Sequence, residues 1–156
     1  MDSANTQRPA HAPTGSVSSR PGSHESRAII LAVERDPHVR DLESFFLNEA
    51  GFEVAFASDG EAALTLAREL RPDIVITEVL VPKMDGLALS RAIKSDADLR
   101  HTMVLVFSIL AAQSRAIEAG ADAFLMKPLA ERRLVDTVRE LLAHRSASRA
   151  REEHRA

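Results

Sequence analysis

A three-layer α/β/α fold on a five-stranded, doubly wound parallel sheet is what this sequence predicts. Three observations carry that reading. Short apolar runs of strand length alternate, five times, with segments of helical periodicity, the order expected of a parallel sheet covered by helices. The runs are apolar throughout rather than alternating, as strands buried on both faces are. Helix-starting acids and helix-stopping glycines or prolines lie between them.

The elements follow in order. Ala28 to Val33 is the first strand. Asp36-Pro37 supplies an N-cap acid and a proline at the first helical position. Val39, Leu42 and Phe46 fall at helical spacing, and Gly51 ends that helix. Phe52 to Ala57 is the second strand, and Ser58 with Glu61 has the spacing of a capping box for a helix running to about Leu70. Pro72 stands just beyond it. Asp73 to Thr77 is the third strand, followed by a Pro/Gly-containing loop and a helix over about Gly86 to Lys94. Thr102 to Phe107 is the fourth strand; a short helix ends at Ala119-Gly120; Ala121 to Met126 is the fifth strand. The last helix, about Ala130 to His144, carries a stripe of Leu134, Val138, Leu141 and Leu142.

The tails divide the chain further. Residues 1–26 are rich in Ser, Pro, Ala and Gly, too polar to offset their ordering entropy, and read as a disordered tail. Residues 27–144 form one domain, and 145–156 a charged C-terminal tail with four Arg and two Glu. The 156-residue chain has a net charge of −3, so no nucleic-acid grip and no membrane-surface stripe is expected. It has no Cys, which excludes disulfides, thiolate catalysis and thiolate metal sites. Apolar runs fall short of a membrane span, no signal-peptide layout is present, and the expected compartment is the cytoplasm. The histidines show no metal spacing.

Ligands of an open parallel sheet bind outside the carboxyl ends of its strands. There the chain places Glu34-Arg35-Asp36 after strand one, Glu78 after strand three, Ser108 after strand four and Lys127-Pro128 after strand five. Asp36 and Asp85 read more simply as helix caps.

Several stretches at these places and between them resemble the response-regulator receiver (CheY-like) family. They are Ile30 to Pro37, Gly51-Phe52-Glu53-Val54, Ala57 to Leu64, Pro72 to Val75, Val81-Pro82-Lys83-Met84-Asp85-Gly86, Ala119 to Leu125, and Lys127-Pro128. The resemblance implies a flavodoxin-like fold and a role in two-component or phosphorelay signalling. In such a role a histidine kinase phosphorylates an aspartate after strand three. It also implies acids after strand one that help hold Mg²⁺, a Thr or Ser and a Lys that contact the phosphoryl group, and an aromatic on strand five that turns inward on activation. By position these are Glu34 and Arg35 for the acidic pair, Glu78 for the phosphoacceptor, Ser108 and Lys127 for the phosphate contacts, and Phe124 for the aromatic.

The chain departs from that pattern in three ways. Glu78 stands where the family has Asp, Arg35 stands at the acid that most directly holds Mg²⁺, and the stretch from Ser108 to Gly120 is about three residues short. A usual receiver pocket sums to about −2, which recruits a hard divalent cation. Here Glu34, Arg35, Glu78 and Lys127 sum to about zero, so Mg²⁺, expected in the family, is not expected here, and no other cofactor is. The expectation is that Arg35 and Lys127 clamp Glu78. Glu78 then reads as an ion-pair residue, as a fixed partial mimic of phosphoaspartate, or as a surviving acceptor. Phe124 reads as core or as switch, and Ser108 as pocket hydroxyl or as a local backbone partner.

The function expected is that of a stand-alone, degenerate receiver, not an enzyme, working through protein–protein contacts with a histidine kinase or other signalling proteins. Only about a dozen residues follow the last helix, and no DNA-binding module is expected among them. A homodimer through helix 4, strand 5 and helix 5 would use Gln113, Arg115, Glu118, Asp122, Arg132, Arg133 and Arg139. Two alternatives stay open: a single-domain regulator with Mg²⁺-dependent phosphoryl transfer, and an interaction or dimerisation module outside any phosphorelay.

Overall fold

The computed structural model describes residues 27–128 and 131–155; the N-terminal tail lies outside them. Elements run β1 (Ile29–Val33), α1 (Pro37–Glu49), β2 (Glu53–Ala57), α2 (Gly60–Leu70), β3 (Ile74–Thr77), α3 (Gly86–Ser95), β4 (Met103–Ser108), α4 (Gln113–Glu118), β5 (Ala123–Met126) and α5 (Glu131–Arg155). All strand pairs are parallel, in the order β2-β1-β3-β4-β5. The chain leaves β1 toward one edge and returns on its other side as β3, so the switch point lies between β1 and β3.

Strand side chains alternate between faces, and this builds two cores from one sheet. Leu31, Val33, Val75, Val104 and Val106 face Ala63 and Ala67 of α2, Leu89 and Ile93 of α3 and Ala116 of α4. Ile30, Ile74, Ile76, Leu105 and Phe107 face Leu47 of α1 and Leu134, Val138 and Leu141 of α5. Both layers are sealed: Leu31, Val75, Leu47 and Val138 have no exposed surface.

The caps explain where the helices start. Asp36 accepts the His38 N–H at 2.9 Å with Pro37 at the first turn, and Asp85 accepts the Ala88 N–H at 2.8 Å, as the sequence suggests. At α2 the cap is Asp59, not Ser58: its carboxylate takes the Ala62 N–H at 2.7 Å. Asp59 wins because a carboxylate makes the stronger bond to the N–H groups of a helix start.

α4 is short, six residues, in line with the trimmed stretch before Gly120. α5 instead runs past His144 to Arg155. Arg and Glu are good helix formers, and the extension is tied down. The Arg145 guanidinium pairs with Asp73 and donates to the His101 carbonyl at 3.0 Å, while Glu152 lies 3.2 Å from His101.

Candidate functional site

Register alone brings four strand ends together. Val33 pairs with Thr77, so Glu34 and Glu78, each the next residue, stand side by side across the switch point. The Glu78 N–H donates to the Val33 carbonyl at 3.1 Å, which pins the end of β3 to β1. Thr77 pairs with Val106 on β4, two residues before Ser108. Ser108 pairs with Met126 on β5, and the Lys127 N–H donates to the Ser108 carbonyl at 2.8 Å.

Glu78 is the centre of the cluster. Its carboxylate is buried, 5 % exposed, and meets four donors. Oε1 accepts from the Val79 N–H at 2.8 Å and from the Ser108 hydroxyl; Oε2 accepts from the Ile109 N–H at 3.1 Å and from Lys127 Nζ at 3.1 Å. Lys127 also donates to Glu34 Oε2, so one ammonium bridges two buried carboxylates. The other Glu34 oxygen accepts the Asp36 N–H at 3.0 Å. Ser108 spends its lone pair locally as well, accepting the Leu110 N–H at 3.0 Å.

The charges follow from these contacts. Burial alone raises the Glu78 carboxyl, but hydrogen bonds from Ser108 and Lys127, the Lys127 charge and the Val79 N–H overcome it and hold Glu78 below its ordinary range. Burial alone lowers Lys127, while bonds to Glu34 and then Glu78 outweigh it and push the ammonium up. Glu78 and Lys127 are therefore charged and paired at neutral pH.

The loop after β3 is fixed by close approach. A Cβ at Gly86 would lie 2.2 Å from the Glu78 carbonyl oxygen and 3.1 Å from Thr77 Oγ1, so only glycine lets α3 start this near Glu78. The Thr77 hydroxyl donates to that same carbonyl at 2.9 Å.

Not every expected residue takes part. Arg35 is exposed and makes no ion pair or side-chain hydrogen bond among the described residues, so the clamp on Glu78 comes from Lys127 and Ser108 and not from Arg35. Arg35 sits where the chain turns from β1 to the cap of α1, and only the residue before it continues the strand inward. Phe124 is half-buried against the α2–α4 core and lines a groove with Ala112, Arg115 and Met126. On the α4–β5–α5 face, Gln113, Arg115, Glu118, Arg132, Arg133 and Arg139 are exposed. Asp122 is exposed too, but its carboxylate is already engaged: it accepts the Val104 N–H at 2.8 Å and pairs with Lys94 at 2.7 Å.

One buried acid escaped the sequence reading. Glu43 of α1 is 4 % exposed, and burial pushes its carboxyl up to about 8, against a smaller lowering by Lys127. The signal was present: Glu43 lies four residues after Val39 and three before Phe46, on the apolar stripe of α1.

The Mg²⁺ of the family does not fit these residues. A hard cation needs several free oxygens. Here the two pocket carboxylates are joined by Lys127, the third acidic position is the exposed Arg35, and no cluster of three His, Asp or Glu suited to a metal occurs among the described residues.

A five-stranded parallel sheet with acids beyond β1 and β3, a hydroxyl ending β4 and a lysine beyond β5 defines the receiver class of signalling domains. The response regulator receiver domain profile matches residues 30–139, and the chain belongs to that family, a receiver of two-component signalling. The chain is 34 % identical over 116 residues to the DNA-binding response regulator MtrA of Mycolicibacterium smegmatis, covering 74 % of this chain and 51 % of that protein. It thus spans about half the length of the curated relatives it matches. Among solved structures it resembles the receiver domain of a signal transduction histidine kinase from Syntrophus aciditrophicus, at TM-score 0.71 and 35 % identity, over 75 % of this chain and 91 % of that one. It also resembles the chemotaxis response regulator CheY4 of Vibrio cholerae, at TM-score 0.70 and 28 % identity, over 74 % and 99 %. No helix among the described residues is long and apolar enough to cross a membrane.

Proposed function

We propose that this receiver works without phosphorylation, as a degenerate member whose state is set by its own Glu78–Lys127–Glu34 cluster and read out through protein contacts. The observation that carries it is the bonding of Glu78. Its oxygens already hold the Ser108 hydroxyl and the Lys127 ammonium, the two groups that contact a phosphoryl group in family members. Glu78 brings one charge to contacts that a phosphoryl group would meet with nearly two, so it mimics that group in part.

The exposed residues of α4 and α5, three of them Arg132, Arg133 and Arg139, are the surface proposed for signalling partners or a second copy. Histidine kinases are the partners of receivers generally, and a kinase here would bind without transferring phosphate. The net charge of −3 supports a role with no nucleic-acid contact by this domain. The curated relatives are named as DNA-binding regulators, and that activity is theirs. Titration with Mg²⁺, followed residue by residue by NMR, tests the proposal. Shifts at Glu34, Glu78 and Lys127 that do not saturate through millimolar Mg²⁺ are expected; saturable binding there sinks it.

A further inference from the structure

Beside the Glu78 cluster, with Lys127 on its wall, α1 and α5 part over the ends of β4 and β5 and leave a cavity of about 340 Å³. That size lies within the range of small-molecule sites. Its walls are mostly apolar, with Phe46 of α1, Phe107 and Ile109 from β4 and its following loop, and Leu134 of α5. Glu43 lines it too, and Glu43 Oε2 is buried without a hydrogen-bond partner among the described residues. Buried polar atoms are almost always paired, so an acceptor left open in an apolar pocket is a place for a donor.

We propose that this cavity binds a small organic ammonium, an apolar body of about the size of one aromatic ring carrying a primary amine that donates to Glu43 Oε2. Charge selects the ammonium over a neutral donor. Glu43 faces Glu34 beyond β1, Glu78 beyond β3 and Lys127 beyond β5, and Glu131 of α5 lines the same cavity. Three acids besides Glu43 against one lysine make the surroundings negative, and Lys127 is already shared between Glu34 and Glu78. The largest single charge acting on Glu43 is Lys127, but Glu34 and Glu78 both oppose it, and the fields that disfavour charge on Glu43 favour a cation beside it. Lys127 Nζ stands 5.2 Å from the centre of the Phe107 ring, so this wall of the cavity already accommodates an ammonium against an aromatic face. An anion would meet the acids and is rejected.

The test uses the full chain and 2-phenylethylammonium chloride, followed by ¹H–¹⁵N NMR, with 2-phenylethanol and 3-phenylpropionate as neutral and anionic counterparts. Saturable shifts at Glu43, Phe46, Phe107 and Leu134 are expected, with Kd on the order of a millimolar for so small a probe. The alcohol should bind at least roughly tenfold more weakly and the carboxylate not at all. Affinity for the ammonium should climb with pH, by up to roughly tenfold per pH unit, and level off above about 8 as Glu43 ionises. Glu43→Gln should abolish that climb, and Glu43→Leu, which keeps an apolar core position, should abolish the preference for ammonium over alcohol. Equal affinity for the three probes, shifts confined to other surfaces, or no saturation overturns the proposal. So does a concentration-dependent dimer, seen by sedimentation, that places Phe46 and Leu134 at its interface.

Discussion

Replacing Lys127 by Met removes the one cation that joins Glu34 to Glu78 while keeping most of the side-chain volume. The Lys127 side chain is 10 % exposed and its partners 5 % and 6 %, so solvent screens little of the loss. Breaking a buried pair by removing one partner costs about 3–5 kcal/mol. A second route gives a similar ceiling. The uncompensated pair can take up one proton, and at pH 7 protonating a glutamate of ordinary value near 4.3 costs about 3.7 kcal/mol, at 1.36 kcal/mol per pH unit. At pH 5 the same step costs about 1 kcal/mol. The deficit of the variant therefore grows as pH rises from 5 to 7, since the proton it needs becomes harder to obtain. The chain has no Trp and no Tyr, so urea unfolding is best followed by far-ultraviolet circular dichroism. With a slope of about 2 kcal/mol per molar urea, the midpoint should fall by about 1.8 M at pH 7 and about 0.5 M at pH 5. A midpoint unchanged at pH 7, or equal losses at both pH values, would refute a structural ammonium bridge.

Other consequences are smaller or local. Ser108→Ala removes a donor to Glu78 and the acceptor of the Leu110 N–H, and should cost about 1–3 kcal/mol in the same urea assay. Glu78 sits below its ordinary value when folded, so its contribution is present above the unfolded value and is lost as pH falls through the folded one. Acid titration of stability should accordingly be shallower in Ser108→Ala. Glu43 has the opposite sign: a carboxyl raised from 4.5 to about 8 costs stability progressively as pH rises through that window. Glu43→Leu should thus gain about 3 kcal/mol more at pH 7 than at pH 4.5, read from paired urea curves. Gly86→Ala drives a methyl to 2.2 Å from the Glu78 carbonyl, should cost about 2 kcal/mol or more, and should move the Glu78 and Ser108 NMR signals together.

The strands and the site edge were legible because their signals are local. Four of the five apolar runs end at Glu34, Glu78, Ser108 and Met126-Lys127, and parallel register places those ends side by side. Side-chain direction was not legible. Arg35 and Glu34 are consecutive, yet Glu34 continues β1 into the pocket and Arg35 turns outward, so counting both in one charge sum misplaced the clamp. The same limit hid Asp122, whose carboxylate folds back on Val104 and Lys94. The extension of α5 was missed because its apolar stripe ends at Leu142, and the contacts that hold the rest, Arg145 to Asp73 and Glu152 to His101, join residues far apart in sequence. Glu43 was hidden by its chemistry: an acid at an apolar spacing looks like a surface residue until its neighbours close over it.

The central claim is that Glu78 is engaged rather than reactive. Incubating the chain with acetyl phosphate and Mg²⁺, then measuring its intact mass, tests that most directly. The expected result is an unchanged mass under conditions that phosphorylate an aspartate-bearing receiver run in parallel. A gain of one phosphoryl group that disappears in Glu78→Gln would contradict it.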